Sequence, residues 1–251
     1  MSVTFQVVPS VAEAFATVVA EELGARAGHG RLYPLFLSGG PTARLAYQAL
    51  ASTTTPSGRG AGEGGPDAGR ARVAGPAWSD VEIYWGDERC VPPDDPDSNY
   101  RLGRESLLDR IGATGPVHPM YESGPPEQAA AAYQQLLADL STLGIVHLGL
   151  GPDGHCASLF PDSDGAAITD PATLVVVNTD PHGVNPHPRL TLTLPAIARA
   201  DLVIFTVSGA SKRDALARVR GGDDLPASRV TAPRVLWLVD EDALGAPSAA
   251  A

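Results

Sequence analysis

Lysine is nearly missing from this 251-residue chain: Lys212 stands alone beside 17 arginines. Acidic residues outnumber basic ones 29 to 18, a formal net charge of −11. That balance argues against nucleic acid as a partner, which would want a basic face. A small anionic substrate is not excluded, because it responds to local charge, but the few cations must then be placed deliberately. Cys90 and Cys156 are too few for a disulfide framework and lack zinc-ligand spacing. No apolar stretch approaches the roughly 20 residues that span a bilayer. The N-terminal MSVTFQVV has neither a basic n-region nor a long apolar run. The expectation is a soluble, cytoplasmic protein with no membrane partner.

What the chain does contain is a repeated device. YPLFLSGGPT (Tyr33 to Thr42), VEIYWGDERC (Val81 to Cys90), VHLGLGPDGH (Val146 to His155) and LVIFTVSGASK (Leu202 to Lys212) are apolar strands running straight into polar turns. Strands and helices alternate, which predicts an α/β fold: an open, mostly parallel Rossmann-like sheet flanked by helices. Further strands are expected at Val3 to Val8, Thr173 to Val177, Arg189 to Leu194 and Val235 to Val239. Helices are expected from Val11 to Ala27 behind a Ser10 cap, through Leu45 and Leu50, from Ser98 or Asn99 to Ile111, from Pro125 or Pro126 through Leu140, and from near Ser211. The chain reads as one domain over residues 1–245. Ser52 to Ser79, rich in Gly, Pro, Ser and Thr, reads as a flexible surface insertion, and 246–251 as a frayed tail.

In an open parallel sheet, ligands bind beyond the carboxyl ends of the strands, so the four turns should converge. Ser38-Gly39-Gly40-Pro41-Thr42 sits between a strand and a helix, where backbone N–H groups and a helix N-terminus can hold an anion. Its pattern is neither GxGxxG nor a Walker A loop, and a plain strand-to-helix turn explains it equally well. Asp87 and Arg89, at the mouth of the sheet, suit a sugar hydroxyl and an anionic oxygen. His155, in a Gly-rich turn two residues after Asp153, suits a general base whose tautomer a carboxylate fixes. Lys212, near a helix start, and Arg189, opening RLTLTLP, suit a phosphate. Cys156 beside His155 is not read as a nucleophile, because adjacent residues seldom face one another. His182 and His187 match no standard zinc spacing, and no metal site is assigned.

Together and in this order, the motifs resemble the 6-phosphogluconolactonase family from about Phe36 to Val239. GLGPDGHCASLFP (Gly149 to Pro161) is nearly that family's GMGPDGHTASLFP, and WGDERCVPPDDPDSNY matches its GDERxVPxxxxxSNY. SGGPTA, RLTLTLP and SGASK fall where it has SGGSTP, RxTLTxP and SGxxK-like elements. Pro41 in place of Ser removes one backbone donor from the first loop. The resemblance implies hydrolysis of 6-phospho-D-glucono-1,5-lactone without a metal or organic cofactor. It implies His155 and Asp153 as the catalytic pair, with Ser38, Gly39, Gly40, Thr42, Asp87, Arg89, Arg189 and Lys212 binding the sugar phosphate lactone. Same-fold glucosamine-6-phosphate deaminases carry GxDGHIAFNEP, with a Glu that helps ring opening; SLFPD here lacks it. A non-catalytic sugar-phosphate sensor is the other alternative, normally with a DNA-binding segment for which this chain has no spare N-terminal region. Oligomeric state stays open between monomer and weak dimer.

Overall fold

Short apolar runs bounded by turn residues become the central strands of the main sheet. The computed structural model describes residues 1–26, 32–53, 77–112 and 114–245. Its strands are β1 (Ser2–Val7), β2 (Tyr33–Leu37), β3 (Val81–Trp85), β4 (Asp87–Arg89), β5 (Ile145–Gly149), β6 (Val175–Asn178), β7 (Arg189–Leu192), β8 (Leu202–Val207) and β9 (Arg234–Val239). Six of them form a wholly parallel sheet in the order β1-β9-β8-β5-β2-β3. Leu35, Phe36 and Leu37 are fully buried, as a strand covered on both faces must be. The chain steps one way from β2 to β3 and the other way from β5 through β8 to β9. The order therefore reverses between β2 and β5, where the loops after two neighbouring strands diverge and open a crevice.

Two of the expected strands do not join this sheet. β6 pairs antiparallel with β7, and β7 with β4, in a separate three-stranded sheet ordered β4-β7-β6. The departure happens at Gly86: its N–H still donates to Leu37 O at 2.9 Å, but its carbonyl accepts from Leu192 N–H at 2.9 Å. One residue thus hands the chain from the parallel sheet to the antiparallel one, and the GDER turn becomes a strand. β7 stops at Leu192 because the Thr193 side chain caps α6 (Leu194–Ile197), accepting from Ala196 N–H.

α1 (Val11–Gly24) starts where expected, with Ser10 Oγ accepting from Glu13 N–H at 3.3 Å, and ends at Gly24, short of the expected Ala27. α2 (Pro41–Thr53) packs against it, with Phe15 edge-on to Tyr47 at 5.9 Å between centroids. Both rings are fully buried, each worth about 1.5–3 kcal/mol by area. Ser52 and Thr53 complete α2, while Trp78 is a core residue in the 3-10 turn Trp78–Asp80. The insertion read at 52–79 is therefore narrower at both ends. Residues 54–76 and 246–251, the rest of that stretch and the tail, lie outside the described residues.

The helix expected from Ser98 or Asn99 to Ile111 forms without a break behind a Ser98 cap, as α3 (Asn99–Gly103), a π-helical turn Arg104–Leu108 and α4 (Asp109–Ile111). Gly103 lets α3 meet the sheet closely: a Cβ there would lie 3.0 Å from both Leu37 Cδ1 and Trp85 Cζ2, tighter than ordinary contact. α5 (Pro126–Ala138) buries Ala130, Tyr133 and Leu137, and Tyr133 Oη accepts from Trp85 N–H at 2.9 Å. α7 (Arg213–Gly221) follows a 3-10 turn Ala210–Lys212, and α8 (Glu241–Leu244) follows β9. Among the described residues no helix is long and apolar enough to cross a membrane.

Candidate active site

A cavity of about 410 Å³ opens at the carboxyl ends of β2, β5 and β8, with the second sheet forming another wall. Ser38, Gly39, Gly40 and Thr42 line it from the loop after β2. Asp87, Arg89, Arg189, His155 and Lys212 line it from four other segments. Asp153 alone of the expected site residues does not line it, but is held against His155, which does. The convergence expected of the four turns is therefore observed.

The His155 turn is tightly determined. Asp153 Oδ1 lies 2.6 Å from His155 Nδ1 and also accepts the His155 N–H at 3.1 Å. A side chain at Gly151 is impossible, since its Cβ would fall 2.1 Å from His155 Nδ1. Gly154 supplies φ +94°, a left-handed conformation that suits glycine. Burial pushes the Asp153 carboxyl up, but the hydrogen bond and charge of His155 prevail and hold it below the usual carboxylate range. Asp153 thus stays anionic, and the ring keeps Nδ1 for it and Nε2 for the pocket. Cys156, next in sequence, is fully buried, and burial drives its thiol far above the ordinary range, leaving it inert.

Asp87 is nearly buried. Its Oδ2 accepts from Ser158 Oγ at 2.6 Å and lies 3.8 Å from Arg189 Nη1; its Oδ1 accepts from Asn99 Nδ2 at 3.2 Å. Asn99 also accepts from Arg89 Nη1 at 2.6 Å, so one amide orients an acid and a base together. It reaches them only because residue 39 is glycine: a Cβ there would lie 1.9 Å from Asn99 Oδ1. Arg89 and Arg189 are directly opposed across β4 and β7. Burial draws the Arg189 guanidinium below its usual value, with the charge of Asp87 opposing. Lys212 sits in a different charge neighbourhood: burial draws its ammonium down while Asp153 opposes.

Two further carboxylates hold the walls from behind. Glu88, almost fully buried, accepts from the N–H groups of Arg89, Asn99 and Tyr100, each at 2.7 Å, and from Ser98 Oγ at 3.1 Å. Burial pushes its carboxyl up to about 7 against those backbone hydrogen bonds. Glu88→Gln would turn an amide NH₂ toward donors. It is expected to lower stability by about 1–3 kcal/mol in urea unfolding at about pH 8, the cost of unsatisfied buried donors. An unchanged midpoint would mean that charge at Glu88 does not hold this turn. Asp240 accepts from Ser208 Oγ and Gly209 N–H, fixing the loop after β8, and from Ala243 N–H, capping α8. Hydrogen bonding prevails over burial and keeps it ionised.

Sequence reasoning missed Asn99, Ser158, Asp240, Tyr47, His147 and Thr206. Asn99 and Ser158 had a signal, in the SNY and ASLFP segments, and Asp240 opens an acidic run; Tyr47, His147 and Thr206 are lone polar residues in apolar surroundings.

With this geometry, residues 6–237 match the family model described as glucosamine-6-phosphate isomerases/6-phosphogluconolactonase. The chain belongs to this family. It is 43% identical over 183 residues to a 6-phosphogluconolactonase of Mycobacterium tuberculosis, covering 66% of this chain and 73% of that protein. It is 35% identical over 224 residues to one from a Nostoc species, covering 83% and 82%. Among solved structures, 6-phosphogluconolactonase from Thermotoga maritima superposes with a TM-score of 0.75 at 27% identity, covering 95% of this chain and 98% of that one. A monomeric glucosamine-6-phosphate deaminase superposes at 0.69 and 19% identity, covering 97% and 98% of the two chains. That likeness is of fold alone, so chemistry has to be argued from the pocket.

Proposed function

We propose that this chain hydrolyses 6-phospho-D-glucono-1,5-lactone to 6-phospho-D-gluconate, the lactone-opening step of the oxidative pentose phosphate pathway, in the cytoplasm. The observation that carries the reading is the Asp153–His155 pair at 2.6 Å, whose His155 lines the same cavity as a Gly-rich loop at a helix N-terminus and the only lysine. Ester hydrolysis needs an activated water, a place for a tetrahedral oxyanion, and a proton for the departing ring oxygen. His155 Nε2 takes a proton from water as its oxygen attacks the lactone carbonyl carbon. The C–O ring bond then breaks, and His155 returns the proton to the ring oxygen. Asp153 keeps the donor hydrogen on Nδ1 and stabilises the imidazolium between the two steps.

The cations divide the remaining labour. Lys212 and the donors of the Ser38–Thr42 loop hold the 6-phosphate, a remote anchor whose binding energy positions the reacting carbon. We assign Arg189, expected from the sequence to share the phosphate, to the group it forms with Asp87 and Arg89 on the second sheet, because its guanidinium lies 3.8 Å from the Asp87 carboxylate. There it reads sugar hydroxyls and faces the oxyanion. No step calls for a cofactor.

The reading is tested by acid release from freshly made lactone, with spontaneous hydrolysis subtracted. Turnover well above background is expected. A rate equal to background would remove the lactonase reading, and ammonia from glucosamine 6-phosphate would put a deaminase in its place.

A further inference from the structure

Behind the Ser38–Thr42 loop lies a run of buried polar groups that the proposed chemistry does not use. Tyr47 on α2 and His147 on β5 are both fully buried. Tyr47 Oη accepts the Ser38 N–H at 2.6 Å and lies 2.8 Å from His147 Nδ1, while His147 Nε2 lies 2.8 Å from Thr206 Oγ1 on β8. The run crosses the sheet from the end of β2, over β5, to β8.

Its direction follows from counting protons. Tyr47 has one, and its alternative acceptor, Ser38 O, is 3.3 Å away, long for an O–H···O bond. The proton therefore goes to His147 Nδ1, which places the ring hydrogen on Nε2, and Nε2–H donates to Thr206 Oγ1. The Thr206 hydroxyl hydrogen is then turned away from the ring, and Thr206 lines the cavity. Burial pulls His147 down to about 3, so the ring is neutral at any working pH. Phe15 lies against it at 4.2 Å between centroids. The Ser38 N–H, committed inward, cannot serve an anion. The loop's orientation is set from behind, and its outward donors are those of Gly39, Gly40 and Thr42.

We infer that Ser38–Tyr47–His147–Thr206 is a directional hydrogen-bond relay that locks the anion loop to β8 and aims the Thr206 hydroxyl into the pocket, making Tyr47 and His147 positioning residues for the substrate's phosphate. This rests on the reading that the loop holds the 6-phosphate. The dependence on Tyr47 is mechanical: without its hydroxyl the Ser38 N–H has no inward partner, and the peptide is free to rotate.

Tyr47→Phe and Thr206→Val cut the relay at its two ends while keeping ring and branch volume. Both are expected to raise KM for the phosphorylated lactone about tenfold, with kcat within about twofold, as for loss of one well-made hydrogen bond to binding. Calorimetry with 6-phosphogluconate should show the same weakening. Partial unfolding would do the reverse, lowering kcat through the active fraction and leaving KM alone. KM and Kd unchanged in Tyr47→Phe, or a weakening in Thr206→Val only, would overturn the relay. Wild type that binds 6-phosphogluconate without opening the lactone would instead overturn the proposed function, and the calorimetric comparison would still decide the relay.

Discussion

His155→Ala is expected to lower kcat on 6-phosphogluconolactone by roughly a hundred- to ten-thousandfold, the usual contribution of a positioned general acid–base group. The ring has one nitrogen committed to Asp153 and the other facing the cavity, and no second imidazole among the described residues does both. His147 also lines the cavity, but both its nitrogens are engaged within the fold. Folding should survive, because His155 is a partly exposed lining residue whose turn is held by backbone bonds: Gly151 N–H to His155 O at 2.8 Å and Gly154 N–H to Gly151 O at 3.1 Å. Binding of 6-phosphogluconate should therefore stay near wild type while turnover falls. A variant with full activity would keep the enzyme and remove His155 from its mechanism. Asp153→Asn provides the graded control. It leaves the imidazole in place but without a fixed tautomer or a counter-charge, so its rate should fall between the two.

The second large effect concerns stability as much as activity. Arg189 and Asp87 are 7% exposed each in their side chains and 3.8 Å apart. Removing one partner of such a pair leaves an uncompensated charge out of water, so Arg189→Met should cost about 3 kcal/mol or more. In a chain of this size that lowers Tm by roughly 6–12 °C. The Ser158 hydroxyl and the Asn99 amide would remain on Asp87, but neither carries charge. Adding Asp87→Asn to Arg189→Met should recover part of the lost stability without restoring turnover. If Arg189→Met melts with the wild type, Asp87 draws its compensation from elsewhere, and the pair is not what joins the second sheet to the pocket.

Much of this site was legible in the residue string, for one physical reason. In a parallel sheet every strand delivers its following turn to the same end, so Ser38, Asp87, His155 and Lys212 could be brought together before any coordinates. The antiparallel sheet was not legible. Val175–Asn178 and Arg189–Leu192 are apolar enough for either sheet, and only the handover at Gly86 decides which one they join. The supporting residues were hidden for another reason. Tyr47, His147 and Thr206 are single polar groups in a helix and two strands otherwise packed with hydrocarbon, Asp240 opens an acidic DED run that reads as a helix cap, and the meaning of all four lies in a partner far along the chain. Glu88 falls in what reads as a polar turn, whereas its neighbours in space make it the acceptor for the first two N–H groups of α3, beside the Ser98 cap. Trp78 was lost in a Gly- and Pro-rich stretch because composition averages over a single residue that packs in the core.

α2 leaves the pocket at Pro41 and runs thirteen residues, about 20 Å at the usual helical rise, before it ends at Thr53. The chain re-enters through Trp78 at the start of β3, again at the amino end of the sheet. Both ends of the 54–76 segment are thus fastened on the side of the molecule away from the lactone. The pocket and the two attachment points of that segment therefore lie at opposite poles of one sheet. That leaves the far pole as the natural place for an engineer to graft an affinity tag, a fluorophore or a tethering module, with the hydrolytic machinery a full sheet's breadth away.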